Sequence, residues 1–434
     1  MKKCFRISGF PLPISVAFIF FIFIHTLQAQ TAVTVTTNAG DQSVGSFGWA
    51  VTTLNSAGDG SVSFSISSPI TLSQSLPSLA QNVTFLGSGT TVIGQNNSQS
   101  QFLFQQGLNQ QENLFFQNNG ALSAGLDVGV TASSLNVGSL IKTTLNAADA
   151  ATISISNGVN VTGSGGGNAA MKVGTWNIGL GNYLYAGAGG SVTDTNGSGD
   201  QGGTGGSASV TAASMTMPGT GFFYLYGGAG GSVTDLGTAT NTGGNGGWAS
   251  AAFGSVSISN TGNVGINGGN GGAAITGGAG GAATLTAGSV SLSQNMDVFA
   301  GQGGNGASVG GDGGSGYVSF GSYMGNTGSN FQLTGGNGGN AGSGLGGAGG
   351  SVFVAGGTAT IFGMSPNAPF FEAVGGDGGT GFTGGNGGSA GISLTSLVIG
   401  PSATFKVSGG DGSGGTSGAA PGNGGLGGDT TFSL

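Results

Sequence analysis

The sequence predicts an all-β solenoid, a parallel β-helix with glycine-rich turns and, along one side, a flange of polyglycine-II-like chain. Three observations lead there. Short stretches alternate apolar residues with Ser, Thr or Asn at period two; a glycine-punctuated unit of about 37 residues recurs seven times; and 101 of the 434 residues are glycine.

The N-terminus reads as an export signal covering residues 1–29. Lys2, Lys3 and Arg6 give a positive start, Ile14 to Ile24 an apolar core, and Leu27-Gln28-Ala29 a small-residue cleavage site before Gln30. The competing reading, a membrane anchor, fails on length, because that apolar core is too short to span a bilayer. Cys4 and His25, the only cysteine and histidine, fall inside this segment. Disulfides, Cys/His metal sites and His-dependent nucleophilic catalysis are thereby excluded from the mature chain. Removing the segment leaves Lys142, Lys172 and Lys406 against fourteen acids, 3 − 14 = −11. Three cations cannot form a phosphate-binding surface, so no nucleic-acid partner is expected.

From residue 30 to 94 the period-two alternation marks strands at Val33-Thr34-Val35-Thr36, Val62 to Ile66, Ile70-Thr71-Leu72 and Val83 to Leu86. A second region, 95–181, continues as coils, with strands at Thr152 to Ser156 and Val159-Asn160-Val161. One segment breaks the pattern. Phe47, Ala50, Val51 and Leu54 stand at i, i+3, i+4 and i+7, which predicts a two-turn helix with Ser46 as N-cap and Asn55 as its stop, plugging the first rung.

The run Val33 to Asn38, Gly45-Ser46-Phe47-Gly48-Trp49-Ala50-Val51, Val62-Ser63-Phe64, Leu76-Pro77-Ser78-Leu79 and Asn82 to Gly87 resembles the opening of bacterial right-handed β-helix surface proteins of the polymorphic outer-membrane and autotransporter-passenger type. The resemblance covers about residues 33–94 and departs from the usual Leu-Arg at Phe47 and Gly48, which weakens the helix there. It implies a right-handed coil and an extracellular or outer-membrane-associated address. It implies no activity, since such domains serve as adhesins, enzymes and stalks.

Residues 182–434 form the repeat. Each unit opens with an apolar strand, such as Tyr183-Leu184-Tyr185 or Phe223-Tyr224-Leu225-Tyr226, that runs into a glycine turn. The turn glycines Gly187, Gly228, Gly269, Gly301, Gly336, Gly376 and Gly410 are spaced 41, 41, 32, 35, 40 and 34 apart. A second cluster follows in each unit, as at Gly243 to Gly247 and Gly384 to Gly388, and then two more strands, as at Ala283 to Thr286 and Ser289 to Leu292. Units this regular that cannot bury their own inward side chains predict coils stacked in parallel. The clusters beat in threes, as in Gly335-Gly336-Asn337-Gly338-Gly339-Asn340, the period of polyproline-II-type chain. They also resemble the glycine repeats of mycobacterial PE-PGRS surface proteins.

No catalytic, cofactor-binding or metal-binding residue is assigned, and no cofactor is expected. Gly424-Gly425-Leu426-Gly427-Gly428-Asp429 fits a calcium-repeat signature only until Thr431 takes the apolar place. Asp312, Asp377 and Asp411 follow Gly-Gly pairs and read as solvated turn residues. A polysaccharide hydrolase would need paired carboxylates, whereas Asp41, Asp59, Glu112, Asp127 and Asp149 are scattered singly. Ice binding would need Thr-x-Thr at one site in every coil, and only Thr284-x-Thr286 and Thr358-x-Thr360 approach it. Phe222-Phe223 and Phe370-Phe371 read as one residue inward and one under the flange.

The expectation is therefore a secreted or cell-surface, non-catalytic structural or adhesive repeat protein, with polysaccharide binding or processing as the alternative. Its partner would be a cell-surface or matrix component such as a polysaccharide. The sequence stops part-way through a coil at Leu434, so end-to-end self-association through an uncapped rung is a further expectation.

Overall fold

A computed structural model describes residues 31–434 apart from 58–59, 67–69, 73–82, 87–89, 95–101, 104–106, 111–113, 119–127, 138–141, 147–152, 156–161, 179–180, 195–198, 236–239, 260, 364–366, 416–422 and 424; from 71 to 161 it describes backbone only. The signal segment 1–29 and the strand expected at 159–161 lie outside the described residues. Residues Thr31–Leu434 form one compact unit.

The chain is a parallel β-solenoid. Its strands form one 14-stranded and one 11-stranded sheet, with 3-stranded and 2-stranded sheets on a third side. Every pairing among the described strands is parallel. From Ala169 onward each coil contributes a ten-residue strand, beginning with Ala169–Ile178 and ending with Ala390–Ile399, and then a five-residue strand, from Gly181–Tyr185 to Thr404–Ser408. On the third side, short strands such as Val192–Asp194 and Val233–Asp235 give way to single bridges at Leu345 and Thr383.

Like residues stack because every rung keeps its register. Leu225, Ile266, Val298, Leu333 and Ala373 form one inward ladder. Phe223, Val264, Met296, Phe331 and Phe371 form its neighbour, in which the Phe331 and Phe371 rings stack at 4.5 Å. Each buried Val, Ile, Leu, Met or Phe of these ladders contributes about 1.5–3 kcal/mol, and it does so only when the next rung covers it.

The two strands expected after the second glycine cluster are one continuous strand with a bend. In Ala283–Leu292 the inward residues are Ala283, Leu285 and Ala287 and then Val290 and Leu292, so the alternation slips by one at Gly288. Gly254, Gly288, Gly321 and Gly357 stack at this bend, where an added Cβ on each would meet the carbonyl of the rung before. The slip breaks the period-two signal and makes one strand read as two.

The glycine clusters form the flange in two columns of five-residue runs. In Gly243 to Gly247 the first and fourth residues donate to the next coil, Gly243 to Thr276 O at 2.8 Å and Gly246 to Ala279 O at 2.8 Å. The second and fifth donate across to the other column, Gly244 to Gly231 O and Gly247 to Gly228 O. The third, Asn245, points outward. This three-residue rotation is that of polyglycine II. The seven turn glycines lie directly over one another: a Cβ on Gly228 would strike the Gly187 carbonyl, one on Gly269 that of Gly228, and so on to Gly410 over Gly376.

At the N-terminal end the helix Phe47–Ala57 runs two residues past Asn55 and buries Phe47, Ala50, Val51 and Leu54 over the first strands. Ser46 caps it, its Oγ accepting the Trp49 N–H at 3.1 Å. Gly48, where the resemblance has arginine, leaves no room for a side chain, because its Cβ would stand 2.5 Å from the Asp41 carbonyl oxygen.

Gly336→Ala would drive a methyl into the Gly301 carbonyl, whereas nothing lies within 4 Å of a Cβ at Gly219. Thermal melts are expected to show Gly336→Ala destabilised by about 1–3 kcal/mol and Gly219→Ala close to wild type. Hydrogen exchange checks the flange separately: amides across 335–350 are expected to be protected, and fast exchange throughout would contradict the bonding described.

Candidate functional site

Alternation on the five-residue strands places their second and fourth residues inward and their first, third and fifth outward. The outward face of Gly181–Tyr185 and Phe222–Tyr226 carries four tyrosines in a two-by-two grid. Tyr183 stands over Tyr224 at 5.8 Å and Tyr185 over Tyr226 at 5.0 Å, with interplanar angles of 18° and 4°. Along each strand, Tyr183–Tyr185 and Tyr224–Tyr226 are stacked at 5.6 and 6.0 Å. Phe222 extends the grid, its ring 5.2 Å from Tyr183 and filling the space over Gly181. The first phenylalanine of the Phe222-Phe223 pair thus lies on this outer face rather than under the flange, while Phe223 is inward as expected.

Beyond the grid runs a groove of roughly 440 Å³. One wall is the outer column Tyr226, Asn267, Phe299 and Thr334; the other is the flange column Asn270, Gln302 and Asn337. The Asn270 Oδ1 accepts the Gln302 N–H at 2.9 Å, and the Asn337 Oδ1 accepts the Asp377 N–H at 2.9 Å. Both side chains line the groove, and with Oδ1 engaged the donor capacity of each amide lies in its Nδ2. In the middle outward column Asp297 is half-buried, and Glu372 is bound by Lys406 Nζ at 2.6 Å and by Gln332 Nε2 at 3.3 Å.

The acids singled out in the sequence serve elsewhere. Asp312 and Asp377 are not merely solvated: each Oδ1 accepts the outward N–H of the next rung, from Ala348 and Asp411 respectively, at 2.8 Å. Asp411 occupies the same outward place. Asp41 binds the Ser43 hydroxyl and N–H, and these bonds hold its carboxyl below the usual range. Asp59, Glu112, Asp127 and Asp149 lie outside the described residues, as does Gly424 of the calcium-like run; Asp429 gives its carbonyl to the Ala390 N–H. Among the described residues, no three of His, Cys, Asp and Glu gather at metal-binding distance. Thr284 and Thr286 stack on Tyr317 and Ser319, whereas Thr358 and Thr360 lie beyond the bend over Ser322 and Met324, so the two Thr-x-Thr pairs occupy different columns.

The tyrosine grid was legible in principle. Tyr-x-Tyr precedes the turn glycine by the same offset in two consecutive units, ending at Tyr185 before Gly187 and at Tyr226 before Gly228. A second, smaller aromatic pair sits on the outer face of the long strands, Tyr317 over Phe353 at 6.3 Å and 11°. What such a surface can do chemically is stack planar, weakly apolar groups and donate hydrogen bonds beside them.

The chain matches no family model, no curated protein and no solved structure.

Burial is the main cause that raises the phenols of Tyr185, Tyr224 and Tyr226 above their ordinary value, with smaller contributions from Tyr226, Asp297 and Tyr224 respectively. A raised phenol favours the folded state below pH about 10 and loses that contribution as pH climbs through the folded value. Burial also raises the Tyr323 phenol, so ultraviolet titration is expected to show four of the six tyrosines ionising late, and melts to show stability falling above pH about 10.

Proposed function

We propose that this chain is an exported, non-catalytic structural and adhesive protein of the bacterial surface, and that it holds polysaccharide on the tyrosine-bearing face of its short-strand sheet. The observation that carries the reading is the four-ring grid continuing into a groove with amide donors on its far wall. A pyranose ring has one face of C–H groups that settles on an aromatic plane, while its rim of hydroxyls needs donors and acceptors alongside. The site is open, long and parallel to the stack, which suits an extended polymer held weakly at many points. The likeness of residues 33–94 to β-helix surface proteins supports the extracellular address.

Processing of the polymer is the less favoured reading. Hydrolysis needs two carboxylates flanking one bond, separated by about 5–9.5 Å. On this face Asp297 and Glu372 stand two rungs apart, at the upper limit of that range, and the Glu372 carboxylate is already taken up by Lys406 and Gln332.

Affinity electrophoresis through gels containing plant, algal and bacterial polysaccharides tests the proposal. At least one polymer is expected to retard the intact chain. Replacing Tyr224 and Tyr226 together by Ala should weaken that retardation about tenfold, two stacked rings contributing about 0.5–1.5 kcal/mol each. Tyr317→Ala, on a different face, should leave it unchanged. Retardation by no polymer, or retardation indifferent to the tyrosines, would sink the proposal.

A further inference from the structure

Below Tyr224 the middle outward column continues as Gly265, Asp297, Gln332, Glu372 and Lys406. Gly265 leaves a gap that the Tyr224 ring occupies: a Cβ on this glycine would stand 2.5 Å from Tyr224 Cδ1 and 2.8 Å from Cε1. The ring therefore leans along the stack toward the rung of Asp297, whose charge acts on the Tyr224 phenol.

The two carboxylates of this column are in different situations. Glu372 carries a lysine and an amide. Asp297 has no cation beside it among the described residues: Lys406 is three rungs on and bound to Glu372, and Lys142, in the row paired with Gly181, is four rungs back. Burial raises the Asp297 carboxyl, so ionised Asp297 costs the fold stability at neutral pH. A half-buried carboxylate next to a tyrosine face, with no compensating charge, is an arrangement that a cation completes. An ammonium group can donate to the carboxylate and at the same time face the ring quadrupole.

We infer that Asp297 and the Tyr224 ring form a subsite for an ammonium group, and that the polymer taken by this face is a polysaccharide bearing free amines, an amino-sugar chain without its acyl groups. The inference rests on the reading of the tyrosine face as a polysaccharide platform and narrows it. It agrees with the charge of the chain, since three lysines against fourteen acids beyond residue 29 repel uronate or sulfated polymers and attract cationic ones.

The test compares the intact chain, Asp297→Asn and the Tyr224→Ala, Tyr226→Ala double variant against three soluble polymers: a glucosamine polymer, its N-acetylated counterpart and an unsubstituted glucan. Wild type is expected to bind the glucosamine polymer about tenfold more tightly than the other two. Asp297→Asn, which keeps the shape of the side chain, should bring the glucosamine polymer down to the level of the others and leave those unchanged. The double tyrosine variant should lose affinity for all three. Equal binding of the three polymers by wild type, or a preference that survives Asp297→Asn, overturns the ammonium subsite while leaving the platform standing. Binding of none of them overturns the subsite, and binding indifferent to the tyrosines removes the platform and the subsite with it. Circular dichroism melts of each variant separate loss of binding from loss of fold.

Discussion

The close approach of one glycine backbone to the next is the constraint on which this structure depends. In the flange every chain is surrounded by others near enough for N–H to meet C=O without a side chain between them, and a methyl at almost any of these glycines would strike a carbonyl. Ordering glycine costs more backbone entropy than ordering any other residue. The return is a hydrogen bond for two N–H groups in every three, made to two different neighbours, one on the next coil and one in the other column. Those bonds join the coils independently of the apolar ladders. A chain with a single cysteine thus has two separate means of holding its rungs at strand spacing.

The third N–H of each turn points away from the lattice and explains a preference the sequence shows without a reason. Asn245, Asn270, Asp312, Asn337, Asp377 and Asn386 occupy that outward place, and each accepts the N–H of the corresponding residue one rung on. Asn168, Ser191, Ser232, Asn305, Asn340 and Ser351 do the same three residues further along the chain. Lateral growth of a polyglycine sheet needs those donors free. Side-chain acceptors consume them, much as charged or bulged edges protect β-sheets from pairing with other copies.

Much of the architecture was legible because it is written in recurrence. The turn glycines named from spacing are the ones that stack, and their elastic interval has a simple origin. The glycine runs and long and short strands keep their lengths, while the third side holds 11 residues between Gly231 and Gly243, 4 between Gly272 and Gly277 and 5 between Gly304 and Gly310, and the connection from long to short strand holds 2 after Leu292 and 8 after Ile361. The bend in the long strand was not legible, since a one-residue slip of phase at Gly288 imitates a loop between two strands. The part played by Asp312 and Asp377 was hidden for another reason: their partners lie 36 and 34 residues away and are backbone groups, so no local pattern reports them. The tyrosine face is masked in the sequence because Tyr183-Leu184-Tyr185 reads as an apolar strand until inward and outward positions are separated.

That separation also says where function can reside. Inward positions are committed to ladders and the flange glycines to contact, but an outward residue touches only its stack neighbours and solvent. Tyr224 over Gly265 over Asp297 is a sequence of side chains that stacking does not require, because Gln332, Glu372 and Lys406 fill the same column equally well further on. An uncompensated, half-buried carboxylate weakens the fold it sits on. Its presence in a column free to hold Asn or Thr is more economically explained by something it binds than by anything it stabilises.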